Sequence, residues 1–434
     1  MKAEDIQLLF NIADESFRAN EKLIDSFLLD WLGCLIVGLN SCKIKPLSSS
    51  LTLGQNIFKK QKVANTDLAL LLGFASHCLE LDDSEFIGET HPSGVLFSAL
   101  LSEANEKFLM RDLFIAASVG YLSLISLGKL FNPSHYDSGW HATGTVGSLA
   151  TSLALSYLKG FTNDEASISL GVTTNLFSGV QQCFGTEVKF LAAGRAAQNA
   201  VLASRLVQNG IEGKSITYDG DIGLIKIFNA NKGVIIEPEI IDFTFVKAKQ
   251  YPVCHCLDPI IINLDNFFKT ENICYKDVES VTITVSDYSR NILRFDDPGN
   301  IEEAQFSIPW ALGVLASSSF DRTEFCNKNI NKEFPLVRNI QVSVDEKMFA
   351  MDHKIAVKCF GESSIKKIFS FDRLYGKQDR SFVPDKAKNL MCPFMRGDDK
   401  LSLFNKLQSG VSDYTVGEFK ELLCDNIILP KFLN

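Results

Sequence analysis

Two of the six histidines in this 434-residue chain sit in contexts suited to moving a proton. His91 lies in Glu89-Thr-His-Pro-Ser-Gly94, just after the acidic run Glu80-Leu-Asp-Asp-Ser84. Pro92 followed by an apolar stretch places His91 at or just before a helix N-terminus. His141 lies in Gly139-Trp-His-Ala-Thr-Gly-Thr-Val-Gly147, again ahead of a helical stretch. The positive end of a helix dipole lowers a histidine pKa and favours the neutral, base-competent ring. A carboxylate from Glu80, Asp82 or Asp83 would do the opposite and orient the ring. Taken singly, either histidine is more often a capping or core residue.

Lys189 stands in Phe184-Gly-Thr-Glu-Val-Lys-Phe-Leu-Ala-Ala-Gly-Arg195, among apolar residues just before a helix start. A lysine so placed could bind a carboxylate or stabilise a developing enolate. An isolated lysine is usually a surface residue that buries only its stem. Arg195 could contact an anion or merely pair with an acid. Glu80, Asp82, Asp83 and Glu85, with His77 and His91, carry metal-ligating atoms. Their spacing matches no specific metal motif, so no metal is expected. Cys254-His255-Cys256 lacks the spacing of a zinc site and reads as loop or core. No P-loop, dinucleotide fingerprint, serine-nucleophile elbow or zincin motif occurs.

The elements that must position these residues change character along the chain. Ile24, Phe27, Leu28, Trp31, Leu35 and Ile36 form one helical stripe within 22–37. Further helices are expected over 68–79, 95–101, 112–127, 143–158 and 193–209, the last with a C-cap at Asn209-Gly210. After about residue 250 the pattern alternates, at 281–285, 340–344 and 355–359, with a weaker candidate at 365–371. These read as half-buried strands of an antiparallel sheet. Residues 304–317 between them look helical, with Pro309 in the first turns. Helical spacing returns at 401–407 and 416–423. The expected fold is mainly α with an α+β second domain. A large helical domain over 1–252, completed by 393–434, would carry an α/β domain over 253–392. A ligand would bind in the cleft between them.

Composition narrows the partners. Apolar residues make up 46% and charged residues 22%, near the globular average. The net charge of −9 argues against a general binder of nucleic acid or acidic membrane, whose footprint is basic. No uninterrupted apolar run reaches the ~18 residues that a bilayer requires. The N-terminus has no secretory pattern, and the eleven cysteines read as reduced thiols of a cytoplasmic protein.

Several segments together resemble one family. Leu79-Glu-Leu-Asp-Asp-Ser84 followed by Thr90-His-Pro-Ser-Gly94 is similar to its DFDD-to-HPS signature. The 139–147 segment is similar to its GFHxTGTxG signature, and Lys189-Phe-Leu-Ala-Ala-Gly-Arg-Ala-Ala197 to KxLHxGRAA. Tyr251-Pro252 and Ala304-Gln-Phe-Ser-Ile-Pro309 match two further landmarks in order. The family is MmgE/PrpD, which holds 2-methylcitrate dehydratase, cis-aconitate decarboxylase and iminodisuccinate epimerase. The resemblance covers most of residues 20–320.

The resemblance implies a helical domain with a smaller lid domain, usually a homodimer, acting without metal or cofactor on a small anionic carboxylate. It puts His91, His141 and Lys189 on active-site positions, and Glu80 and Ser84 where Asp and Thr are common. Asp82, Arg195, Asp258 and Trp310 complete the substrate-binding candidates. Ala192 stands where KxLH has histidine, Asp258 where many members have histidine, and Trp310 where tyrosine is common. The trio is kept and its surroundings are altered, which points to a changed substrate. The expected activity is a cofactor-free lyase, a dehydratase or decarboxylase, working beside a carboxylate. The alternatives are an isomerase or epimerase using the same proton abstraction, and a non-catalytic carboxylate-binding scaffold.

Overall fold

The computed structural model describes residues 3–51, 57–58, 64–213, 222–230, 239, 241–317, 339–361, 365–369, 380–397, 400–430 and 433. Its first part is helical. α1 (Ala3–Asn11), α2 (Ala13–Leu39) and α3 (Lys45–Ser50) lead to α4 (Asn65–His77), α5 (Pro92–Glu103) and α6 (Met110–Phe131). The short α7 (Ser134–Asp137) is followed by α8 (Val146–Leu158), α9 (Asn163–Leu176) and α10 (Leu191–Gln208). The apolar stripe of α2 is fully buried, and the helix extends beyond the expected 22–37 at both ends. α10 ends at Asn209 with Gly210 in the left-handed region (φ +81°), as the sequence expects.

α10 packs on α4 and α8, and α6 packs on α8 and α2. The α4–α10 crossing is backbone against backbone. A Cβ on Gly73 would lie 2.8 Å from Gly194 Cα, and one on Gly194 would lie 2.5 Å from the Leu70 carbonyl oxygen. Only glycine permits that approach, which fixes the start of α10 beside the end of α4. α6 is long and apolar enough to cross a membrane, but its residues are mostly buried among the other helices.

The later part holds α11 (Leu224–Ile227), α12 (Asp258–Thr270), α13 (Asp287–Ile292), α14 (Ile301–Ala304) and α15 (Ile308–Ser317). Two-residue strands β1 (Ser84–Glu85) and β2 (Val246–Lys247) pair antiparallel, Ser84 opposite Lys247. A four-stranded sheet has the order β4 (Ile340–Val344), β3 (Val278–Val285), β5 (His353–Cys359), β6 (Ile365–Phe369). The chain closes with α16 (Val383–Met391), α17 (Lys400–Gln408) and α18 (Val416–Asn426). The architecture is therefore mostly helical with a small mixed sheet.

Two expectations need correction. The sheet is mixed rather than antiparallel, because β3 and β4 run parallel, with Val281 opposite Ile340 and Val285 opposite Val344. The chain between them passes through α13, α14 and α15, a crossover long enough to return β4 in the same direction. The helix expected over 304–317 is broken at 305–307. A continuous helix would need an N–H on Pro309 for the Gln305 carbonyl, which proline lacks. That carbonyl instead accepts from Cys254 N at 2.9 Å, and Pro309 occupies the second position of α15. α16 packs on α2, where a Cβ on Gly33 would lie 3.2 Å from Ala387 Cα. Residues 370–371 of the fourth expected strand lie outside the described residues.

Candidate active site

The site is built where the ends of α4 and the starts of α5, α8 and α10 converge. α4 ends at His77, and the chain turns through Glu80 in the left-handed region (φ +56°). A non-glycine residue there costs about 1–3 kcal/mol and persists only where its surroundings hold it. The holding contact is the Glu80 carboxylate, which accepts a hydrogen bond from Lys189 Nζ. The same ammonium donates to His77 Nε2 at 3.0 Å. Because Nε2 accepts, the His77 proton sits on Nδ1, 2.9 Å from Asp82 Oδ2. A chain of contacts thus runs Glu80, Lys189, His77, Asp82, with all four residues at most 3% exposed.

His91 is the residue just before α5, as Pro92 requires. Asp83 fixes it from two sides. The Asp83 carbonyl accepts from His91 Nδ1 at 2.9 Å, and its carboxylate accepts from Ser93 N at 3.2 Å, an open donor in the first turn of α5. The carbonyl can only accept, so the His91 proton is on Nδ1 and Nε2 carries a lone pair. Burial and the charges of Lys249 and Lys189 push the His91 pKa well below the ordinary histidine value. The His91 ring lies 4.4 Å from that of His77, centroid to centroid.

His141 is held by its backbone. His141 N donates to Gly179 O at 3.1 Å, and Thr143 Oγ1 accepts from His91 N at 3.2 Å, so the two histidine segments are tied together. Gly144 is required there, because a Cβ would lie 2.1 Å from the Ser178 carbonyl oxygen. The His141 ring is 6.5 Å from His77 and edge-on to Phe184 at 5.0 Å. Burial and the charge of Lys189 depress its pKa as well.

Lys249, which the sequence analysis does not single out, completes the cluster. β2 delivers it beside β1 and the acidic loop. Its Nζ is buried and makes no hydrogen bond with a described residue, lying 3.5 Å from Glu80 Oε2 and 3.8 Å from Asp82 Oδ1. Burial opposes its charge, but Glu80 and Asp82 outweigh that and raise its pKa. Burial likewise works against ionising Glu80, yet Lys189 and Lys249 hold its carboxyl well below the usual carboxylate range.

The remaining candidates take different places. Asp258 opens α12 and accepts from Gln250 N at 3.1 Å and Tyr251 N at 2.8 Å, so it holds the loop that carries Lys249. Burial pushes its carboxyl up to about 6. Ser84 is buried and its hydroxyl makes no hydrogen bond with a described residue. Trp310 is buried in the first turn of α15. Arg195 is exposed, and its guanidinium bonds Gln198 on its own helix rather than any member of the cluster. Gln305 explains the Gln-Phe-Ser landmark: its Nε2 donates to Leu79 O at 2.8 Å and Pro252 O at 3.0 Å, joining the acidic loop to the Lys249 loop.

His77, Asp82 and His91 present ligand atoms within 4.8 Å of one another. The set fits a cation poorly. Two ammonium groups adjoin it, and both histidine Nδ1 atoms already donate to oxygen. What this arrangement suits is an anion, with a ring nitrogen beside it able to take a proton.

The family model for the MmgE/PrpD N-terminal domain matches residues 14–235, just over half of the chain. The chain belongs to the MmgE/PrpD family. Members of this MmgE/PrpD family are generally enzymes such as dehydratases, so dehydratase-type activity is what membership broadly suggests. The matched span contains Glu80, Asp82, His91, His141 and Lys189; Lys249 lies beyond it. No curated protein matches the chain.

Proposed function

We propose that this protein is a cofactor-free lyase that removes water from a small di- or tricarboxylic acid, breaking a C–H bond beside a carboxylate. The observation that carries the proposal is the placement of His91, whose Nδ1 donates to the Asp83 carbonyl so that Nε2 is its remaining ring nitrogen, in a buried cluster with two ammonium groups. A C–H next to a carboxylate is a weak acid, since deprotonation adds charge to an anion. Lys249, whose Nζ makes no hydrogen bond among the described residues, binds the substrate carboxylate and stabilises that charge. Lys189, pinned between Glu80 and His77, adds a second positive centre. His91 takes the carbon proton. Arg195 has no part, given its exposure and its bond to Gln198. Asp258 and Gln305 shape the loop around Lys249.

The proposal carries a small anionic carboxylate as partner, a homodimer in a two-domain arrangement, and a cytoplasmic location. It calls for no metal, cofactor, nucleic acid or membrane. A second reading, epimerisation, has one observation in its favour: His91 and His141 are both depressed in pKa, and two neutral rings could take and return a proton. Proton NMR in D2O with citrate, 2-methylcitrate, cis-aconitate, isocitrate and iminodisuccinate separates them. A new olefinic product with loss of hydroxyl supports the dehydratase. Deuterium uptake without a new compound moves the assignment to an epimerase, and silence across the panel sinks both.

A further inference from the structure

Dehydration needs an acid as well as a base. Hydroxide is a poor leaving group, and a positioned proton donor makes it leave as water. His91 and His141, the two histidines that the motifs supply, are both pushed toward the neutral form. Neither is a ready acid.

A third histidine lies at the same site. His255 is 7% exposed, and its ring centroid is 6.2 Å from that of His91, with Phe86 edge-on at 5.4 Å on another side. Its Nε2 lies 3.4 Å from Glu89 Oε2. Glu89 is itself buried, and its backbone occupies the left-handed region at φ +58°. A glutamate there is strained by about 1–3 kcal/mol, and such strain is kept where a side chain must be aimed. Glu89 is two residues before His91, so one short segment carries the base and the carboxylate that faces His255. With Nε2 turned to Glu89, the second donor of a protonated His255 ring is Nδ1. The charged and titratable groups around His255 are Glu89, Cys254, Lys249, His91 and His141.

We infer that the Glu89–His255 pair is the general acid of this site, delivering a proton to the departing hydroxyl while His91 removes the carbon proton. The inference rests on the dehydratase reading above. Burial works against charge on His255, but Cys254 and Glu89 outweigh it and hold its pKa above the ordinary histidine value. The balance is simple. The C–H electron pair becomes the new C=C bond and the proton goes to His91 Nε2. The C–O bond breaks, the oxygen keeps its pair, and it takes the proton of His255 to leave as water. The enzyme ends with His91 protonated and His255 neutral, and exchange with solvent restores both.

The test compares wild type, His255→Gln, Glu89→Gln and His91→Gln with citrate and 2-methylcitrate in D2O. For His255→Gln, alkene formation falls ~10²–10⁴-fold, the range of a positioned acid. Deuterium uptake at the carbon beside the carboxylate continues, because the base is intact and the intermediate returns. Glu89→Gln moves the same way to a smaller extent, and provides the test if His255→Gln does not fold. His91→Gln loses exchange and turnover together. Wild-type-like alkene formation by His255→Gln overturns the inference. So does a parallel loss of exchange and turnover in folded protein, which assigns His255 a structural role. A wild type that neither exchanges nor dehydrates either probe overturns the dehydratase reading itself, a failure seen before any variant is made.

Discussion

Replacing Lys249 with methionine keeps the stem and removes the charge from a cluster that motif reading does not assign to it. The Nζ lies 3.5 Å from Glu80 Oε2 and 3.8 Å from Asp82 Oδ1. At an effective dielectric of about 20, each attraction is ~4 kcal/mol before desolvation. Breaking a buried pair by deleting one partner typically costs ~3–5 kcal/mol, because the other charge stays buried. Lys189 still neutralises Glu80, so the lower end, about 3 kcal/mol, is expected. The pH dependence follows from Glu80, whose carboxyl is held below its ordinary value in the folded protein. A depressed folded pKa contributes stability that is present above the unfolded value of about 4.3 and is lost as pH falls. Lys249→Met raises the Glu80 pKa, so the variant's deficit is largest near neutrality and narrows as a proton replaces the missing cation. Urea unfolding of both proteins at about pH 7 and about pH 3 reads this directly. A deficit below about 1 kcal/mol at pH 7, or one that is equal at both pH values, refutes the electrostatic reasoning.

Three other outcomes follow from the same geometry. Because burial and neighbouring cations depress His91 and His141, the acid limb of kcat/KM lies below the ordinary histidine value of about 6.5; a limb at or above it contradicts a neutral base. Arg195→Gln leaves turnover within about threefold of wild type, the equivalent of ~0.5 kcal/mol for a surface change, and a larger loss in steady-state kinetics would return Arg195 to the site. Gly194→Val forces branched carbon into the Leu70 backbone, so the melting temperature should drop or the chain fail to fold, while Gly210→Ala, with nothing within 4 Å of its Cβ, costs only the strain of its positive φ.

Much of the site is legible in the sequence because it is encoded locally. Pro92 fixes where α5 begins and so puts His91 just ahead of it. Gly144 and Gly194, inside two of the motifs, permit close backbone approach. The helical stripes and alternating strands follow periodicities of 3.6 and 2. What is not legible depends on distant packing. Lys249 and Asp258 acquire their roles from a loop clamped by Gln305, which lies 47 or more residues away. His77 shows in the sequence only as a possible metal ligand, and its bond to Lys189 spans 112 residues. His255 sits in a segment without periodicity, so nothing local predicts its burial against Phe86 and Glu89. Arg195 is misleading for a related reason: one step along a helix turns a residue away from the face that Gly194 presents to α4. Parallel pairing of β3 with β4 is set by the crossover, which strand composition does not encode.

The central claim is that His91 takes a proton from carbon in a buried cluster charged by Lys189 and Lys249. Deuterium uptake at the carbon beside the carboxylate, followed by proton NMR for wild type and for His91→Gln with 2-methylcitrate, tests it most directly. The account predicts uptake by the wild type, unaffected by a chelator, and a fall of ~10²–10⁴-fold in the folded variant. Equal rates in the two proteins would contradict it.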